Sequence, residues 1–281
     1  MKLQATRFGN HEFVWGSRTY VMGVLNTTPD SFSGDGLAGQ LETAVTKAIR
    51  FEKEGADIID IGGESTRPGS TPVNSFEEIE RVIPVINRVA QEVAVPISID
   101  TSKAEVAREA LKAGATIIND VWGLRRDPSL AKLSADNGAP IIVMHNQIGT
   151  NYDNLLIDVI TGLQASIDIA IRTGIQPDHI IVDPGLGFGK TAGQNIEIMR
   201  KLKSITTLEK PILVGTSRKS TIGLVLNLPV EERLEGTAAT VAIAIANGAD
   251  IVRVHDVKEM ARVTRMSDSI VRGWKELELE A

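Results

Sequence analysis

The chain of 281 residues contains no cysteine. That single absence excludes a disulfide framework, a thiolate nucleophile and a cysteine-ligated zinc. Positive charge is in deficit, 30 Lys and Arg against 36 Asp and Glu for a formal net charge of −6, which argues against nucleic acid or an anionic membrane as partner through the overall field. An anionic substrate must therefore be caught by local groups. Long apolar runs are missing too: the longest, Ala238 to Ala246, is too short and too rich in alanine to span a bilayer. The segment Met1 to Phe8 has no apolar h-region, so nothing directs the chain to secretion, and the expectation is a soluble, cytoplasmic protein. Aromatic residues make up only 4%, and one of them, Phe188, stands in a glycine-rich loop where a polar residue is the norm.

What is present is a repeated alternation. Apolar runs at Val21 to Leu25, Asp57 to Ile61, Ile97 to Ile99, Thr116 to Ile118, Ile141 to Met144, Ile180 to Val182, Ile212 to Val214 and Ile251 to Val254 read as parallel strands buried on both faces. Helical patterns separate them, and Gly55-Ala56, Gly114-Ala115, Gly138-Ala139 and Gly248-Ala249 each stand between a helix and the next run, with Gly174 as a fifth case. Glycine just past a helix fits a left-handed C-cap. Ser75 with Glu78 reads as a capping box for the helix after the second strand. Eight βα units in this length predict a single (β/α)8 TIM barrel, with a doubly wound open sheet as the alternative. Residues 1–16, alternating around Phe8-Gly9-Asn10, read as an N-terminal β-hairpin able to plug one end of the barrel, which occupies 17–281.

Chemistry gathers at the strand ends: Asn26; Glu64 to Arg67; Asp100; Asn119 and Asp120; His145; Asp183; Ser217 to Ser220; Arg253 with His255. In a barrel these converge on one face, whereas an open sheet spreads them along an edge. Taken singly, each is more often a cap or a satisfied loop group, and Asp120 and Asp256 read that way. Arg67, Arg218, Lys219, Arg253 and His255 are cations suited to a phosphate or diphosphate. Asp100, Asn119 and Asp183 are placed to accept from hydrogen-bond donors, such as the adjacent N–H groups of an aminopyrimidinone edge. One site thus reads as holding a donor-rich heterocycle and an anion. Asn26 is a candidate ligand for a magnesium otherwise held by phosphates and water. His145 reads as a hydrogen-bonded structural histidine, and Asp60, midway along its strand, as a buried paired group supporting the site.

The stretches M-G-V-L-N-T-T-P-D-S-F-S (22–33), G-A-D-I-I-D-I-G-G-E-S-T-R-P-G (55–69), I-S-I-D-T (97–101), I-I-N-D-V-W-G (117–123), D-P-G-L-G-F-G-K (183–190), S-R-K-S (217–220) and I-V-R-V-H-D-V (251–257) resemble the dihydropteroate synthases. Seven segments in the family's order, spanning nearly the whole barrel, make the resemblance specific. It implies condensation of 6-hydroxymethyl-7,8-dihydropterin diphosphate with p-aminobenzoate, releasing diphosphate with Mg2+ as cofactor. By resemblance Asp100, Asn119, Asp183 and Lys219 hold the pterin, and Met144 and Phe188 line its slot. Asn26, Arg253 and His255 hold the diphosphate, Asn26 also reaching the metal. Phe32 belongs to a first loop and Thr66, Arg67 and Pro68 to a second; with Ser220 and Phe188 they enclose p-aminobenzoate. Arg67 and Lys219 are counted with Arg253, His255 and Asn26 among the catalytic groups, and a homodimer is expected. Two positions depart from the family's pattern: Asp35 stands later in its loop than in many relatives, and Asn146 follows His145 where methionine is commoner. The alternatives are a pterin-dependent methyltransferase, which needs no diphosphate clamp, and a catalytically silent pterin-binding homologue.

Overall fold

A computed structural model of the protein describes residues 3–27, 36–64 and 72–274. Strands β1 (Thr6–Phe8) and β2 (His11–Phe13) form the antiparallel hairpin, with Thr6 opposite Phe13 and Phe8 opposite His11. Eight parallel strands follow: β3 (Tyr20–Asn26), β4 (Ile58–Gly62), β5 (Ile97–Asp100), β6 (Ile117–Asp120), β7 (Ile141–Met144), β8 (Ile180–Asp183), β9 (Leu213–Val214) and β10 (Ile251–Val254). Neighbours pair in sequence order from β3 to β8, and β10 lies between β3 and β9. The ring closes between β8 and β9 through a bridge from Val182 to Ile212 and the Val182 N–H to Pro211 carbonyl bond of 2.9 Å. The sheet is therefore a barrel rather than an open edge. Outside it run α1 (Gly36–Glu54), α2 (Ser75–Val89), α3 (Ala104–Ala113), α4 (Ser129–Asn137), α5 (Leu155–Thr173), α6 (Ala192–Arg200), α7 (Ser220–Leu226), α8 (Leu234–Ala246) and α9 (Val257–Val271). Among the described residues no helix is long and apolar enough to cross a membrane.

Strand geometry assigns each residue to one face by its parity. Ile59, Ile61, Ile97, Ile99, Ile118, Ile141, Val143, Ile180, Val182, Ile212 and Val214 face outward and pack with the helices in one large core. Met22, Ile58, Ile117, Ile142, Ile181, Leu213 and Ile251 face inward and form a second core with Phe8, Phe13, Trp15 and Tyr20. The aromatics of the hairpin region thus plug the barrel floor, Phe8 edge-on to Phe13 at 4.5 Å and Phe13 against Tyr20 at 4.3 Å. Four of the chain's eleven aromatic residues are gathered there.

The glycine–alanine punctuation has one structural meaning. Gly114, Gly138 and Gly174 are left-handed C-caps, and at all five sites the next residue's N–H reaches back to a carbonyl five residues earlier, as in Ala115 to Ala110 at 2.9 Å. That bond ties off the helix and turns the chain onto the next strand. The capping box at Ser75 and Glu78 does not form. Asn74 is the N-cap, its side chain accepting from the Glu77 N–H, and Ser75 is the first helical residue. Glu78 is fully buried and its carboxylate takes Lys103 instead. A capping box does form at α6, where Thr191 and Gln194 satisfy each other's backbone.

Candidate functional site

Two residues up each strand from the inward isoleucine of the floor, the same face turns polar. Ile58 leads to Asp60, Ile117 to Asn119, Ile181 to Asp183 and Ile251 to Arg253, while Ile142 leads to Met144. Ser98 leads likewise to Asp100 on β5. The hydrogen-bonded ladder carries β5, β6 and β8 through Asp100, Asp120 and Asp183, one or two residues beyond the apolar runs, so these carboxylates stand on strands and not on loops. A rigid sheet holds them more firmly than a loop can.

The polar layer is cross-linked. Asp60, with no exposure to solvent, accepts from Arg253 Nε at 2.6 Å and from Asn119 Nδ2 at 3.2 Å. Arg253 Nη2 donates to Asp100 Oδ2, also at 2.6 Å. Because the Asn119 amide nitrogen faces Asp60, its oxygen is left to accept from a ligand. Asp100 Oδ1 is buried without a partner among the described residues, an expensive state unless a donor arrives. Burial lifts the Asp100 carboxyl to about 7, against the opposing pull of Arg253 and with a further push from Asp60 and Glu78. Burial also raises Asp183, opposed by Lys219 and by the Gly185 N–H, which donates to Asp183 Oδ1 at 2.7 Å. Three acceptors thus stand unsatisfied or half-satisfied on the inner face of the barrel: Asp100, Asn119 and Asp183.

Above this layer the turn after β8 supplies a wall. Gly185, Gly187 and Gly189 all have positive φ, and a Cβ at Gly185 would lie 1.9 Å from the His145 carbonyl oxygen. Only glycine fits so near a backbone. Phe188 is half-buried, with the Lys219 ammonium 4.9 Å from its ring centroid. Burial pulls Lys219 down to about 8, with Asp183 opposing. A cleft of ≈ 550 Å³ opens beside it, lined among others by Glu64, Asp100, Trp122, Asn146, Phe188 and Lys190.

At the rim, His255 Nδ1 and its own N–H both lie near Ser217 Oγ, at 3.0 and 3.1 Å. Burial and the charge of Arg253 lower the imidazole to about 4, so it is neutral near pH 7. Asn26 ends β3 on the parity of Met22 and Val24, Met144 is buried at the end of β7 and Ser220 is exposed at the start of α7. Phe32, Asp35, Thr66, Arg67 and Pro68 lie outside the described residues. The barrel thus brings Asp100, Asn119, Met144, Asp183, Phe188, Lys219, Arg253 and His255 to one face, with Asn26 at its edge.

Some strand-end groups proved structural. Arg218 is held by Asp256, Nε to Oδ2 at 2.8 Å, and so is not a free cation for an anion. Asp256 occupies the N-cap position of α9 without a side-chain capping bond. Asp120 takes the N–H groups of Trp122 and Leu124, closing its own loop. Asn146 donates to the Val121 carbonyl at 3.1 Å and lies buried. His145 is neutral, pulled down to about 3 by burial, Lys190 and Arg125, and its Nδ1 takes the Lys190 ammonium at 3.0 Å. Lys190 is the residue that sequence reasoning missed; its only signal was a lysine ending a run of glycines.

The model of the family described as "Pterin binding enzyme" matches residues 22–255. The chain belongs to the pterin binding enzyme family. Among curated relatives, the dihydropteroate synthase of Clostridium beijerinckii is 51% identical, with 95% of this chain and 99% of that one aligned. That of Bacillus subtilis is 52% identical over 90% and 89%. Among solved structures, the Clostridium difficile dihydropteroate synthase crystallised in the presence of pteroic acid superposes with a TM-score of 0.91 at 52% identity, covering 92% of this chain and 99% of that one. The Xanthomonas albilineans enzyme in complex with 7,8-dihydropteroate gives 0.88 at 36% identity, over 95% and 98%. Within the pterin binding enzymes, the chain's likeness is thus to synthases along nearly their whole length.

Proposed function

We propose that the chain is a dihydropteroate synthase, joining 6-hydroxymethyl-7,8-dihydropterin diphosphate to p-aminobenzoate with release of diphosphate. The observation that carries this is the buried, unpartnered Asp100 Oδ1, set among the acceptors of Asn119 and Asp183 in a chain so like named synthases. A pterin edge offers the amino and ring N–H donors that such acceptors need. Asp100, Asn119 and Asp183 would read that edge, Lys219 would donate to a ring acceptor, and Met144 and Phe188 would cover the faces.

The diphosphate would lie toward Asn26, Arg253 and His255, with Arg67 approaching from the second loop. Positive charge there is modest, since Arg253 already faces two carboxylates and Arg218 is paired. Among the described residues no group of three carboxylates or histidines could hold a metal alone. Asn26, a neutral oxygen donor, fits a magnesium that arrives with the diphosphate and keeps most of its ligands from phosphate and water. Magnesium, when bound, would supply positive charge against the leaving diphosphate. Arg253 donates from the barrel side, and His255, neutral near pH 7, donates a hydrogen bond from its ring rather than a charge. The electron-rich dihydropterin ring shares the deficit left on its exocyclic methylene. The arylamine attacks without a strong base, its proton passing to solvent or diphosphate. Ser220, Phe188, Thr66, Pro68 and Phe32 would enclose p-aminobenzoate and exclude competing water.

The same reading includes a cytoplasmic homodimer. Its support is an apolar stretch on the outer helices, with Ile196, Leu224, Val225, Leu226 and Ile243 all exposed; such patches on soluble chains mark interfaces. The decisive assay follows labelled p-aminobenzoate with pterin diphosphate and magnesium, each left out in turn. Label in dihydropteroate only with all three supports the synthase. Pterin bound but no product under any condition overturns it.

A further inference from the structure

Lys190 ends the glycine turn after β8 and is only 8% exposed. Among the described residues its ammonium makes no ion pair with a carboxylate. It lies 3.0 Å from His145 Nδ1, 3.0 Å from the Gly185 carbonyl, 3.0 Å from the Phe188 carbonyl and 3.3 Å from the His145 carbonyl. Three N–H donors are therefore shared over four acceptors, all of them neutral. Two further carbonyls of the turn are also taken by side chains: Leu186 accepts from Lys219 Nζ, and Gly189 accepts from the Tyr152 hydroxyl at 2.9 Å.

This turn cannot hold itself. Its backbone supplies the Phe188 N–H to Gly185 carbonyl bond at 3.1 Å, and its glycines give it wide freedom. Asp183 Oδ1, Asn195 Oδ1 and the Tyr152 hydroxyl each take one further backbone group, and two ammonium groups hold the remaining carbonyls, those of Gly185, Leu186 and Phe188. Lys219 faces Asp183 and Phe188 in the pocket, where a ligand competes for it. Lys190, at the edge of the cleft, turns its ammonium into a cage formed with His145 in the loop after β7.

We infer that Lys190 is a positioning residue that clamps the 185–189 turn to His145 through the Gly185 and Phe188 carbonyls, so that Lys219 can leave the Leu186 carbonyl for the pterin while Phe188 and Asp183 keep their places. The two lysines divide the work: one holds the wall and the other serves the ligand. His145 belongs to the clamp, its neutral ring presenting Nδ1 as acceptor because Nε2 keeps the proton. Burial draws the Lys190 ammonium down to about 7, opposed by Asp183 and helped by Lys219 and Arg125, which makes this a costly cation to keep for packing alone.

The inference rests on the pterin reading of the site, and its test separates the two. Lys190→Met keeps the stem and removes the donors; His145→Leu removes one acceptor, and His145→Asn can put an amide oxygen where Nδ1 stands. Hydrogen exchange of the 185–189 amides and steady-state constants for each substrate are measured on all three and on the wild type. Lys190→Met is expected to speed exchange in that turn and not in α1 or α9. Its KM for the pterin diphosphate should rise about tenfold to a hundredfold, as misplacement of a positioned wall does, with a smaller rise for p-aminobenzoate, which meets the turn only through Phe188. His145→Leu should move the same way and His145→Asn should stay near wild type. If Lys190→Met fails to fold, His145→Leu against His145→Asn makes the same comparison. Unchanged turn exchange in Lys190→Met or His145→Leu, or equal losses for both substrates, overturns the inference. A wild type that makes no dihydropteroate, with turn exchange still freed in Lys190→Met, sinks the synthase reading and leaves the clamp standing.

Discussion

Asp60 gives its carboxylate oxygens to Arg253 and Asn119 without touching solvent. Asp60→Asn should therefore weaken the Arg253 contact and free the Asn119 amide to turn over. Expected are a loss of about 2 kcal/mol in urea unfolding, the scale of a hydrogen bond to a charged group, and a raised KM for the pterin substrate. No change in either would mean that Asp60 is only filler. His145 gives a second test. Its folded value near 3 lies below the 6.5 of a free imidazole, so the unfolded chain binds its proton first as pH falls. The stability it contributes is whole above about pH 6.5 and is lost progressively toward pH 3. The acid limb of the stability profile should flatten in His145→Asn, and NMR should find the wild-type ring protonated at Nε2 and untitrated between pH 5 and 8. The roles of Asp60 and His145 were legible in the sequence, since an isolated polar residue inside or just past an apolar strand must find a partner. Lys190 was not, because its acceptors are mostly backbone carbonyls, which no residue type announces. Arg218 was misread for a related reason: its partner Asp256 lies 38 positions away, and charge counted along the chain does not show such pairing.

At the scale of elements, the two halves of the barrel interior separate stability from recognition. Phe8, on the hairpin, lies fully buried in the apolar floor beneath the polar layer. Phe8→Ala should cost about 3–5 kcal/mol, the range for emptying a buried ring, and leave both KM values unmoved at a temperature where the variant is folded. Gly185→Ala should do the reverse. A Cβ 1.9 Å from the His145 carbonyl oxygen must displace the turn, so pterin binding should fall sharply while the floor stays intact; calorimetry of unfolding and of ligand binding checks the pair. The strands and their caps were readable because apolar runs and glycine–alanine pairs repeat. The ends were not: β5, β6 and β8 run on through Asp100, Asp120 and Asp183 because hydrogen-bonding to neighbours, not apolarity, decides where a strand stops. The false capping box at Ser75 matched a local pattern, but Lys103 offered Glu78 a stronger partner.

At the scale of the molecule, the closed sheet turns a linear series of strand ends into one chamber, apolar and plugged below, polar and cross-linked above. The exposed apolar residues on α6, α7 and α8 predict a dimer in light scattering, and Leu224→Glu with Ile243→Glu should shift it to monomer. The central claim is that the polar layer seats a pterin ring, and the most direct measurement is calorimetric titration of a pterin lacking the diphosphate into wild type and Asp183→Asn. One-to-one binding to the wild type, weakened about tenfold or more in the variant by the loss of a charged acceptor, is the predicted result. Equal binding to both proteins, or none to either, would contradict it.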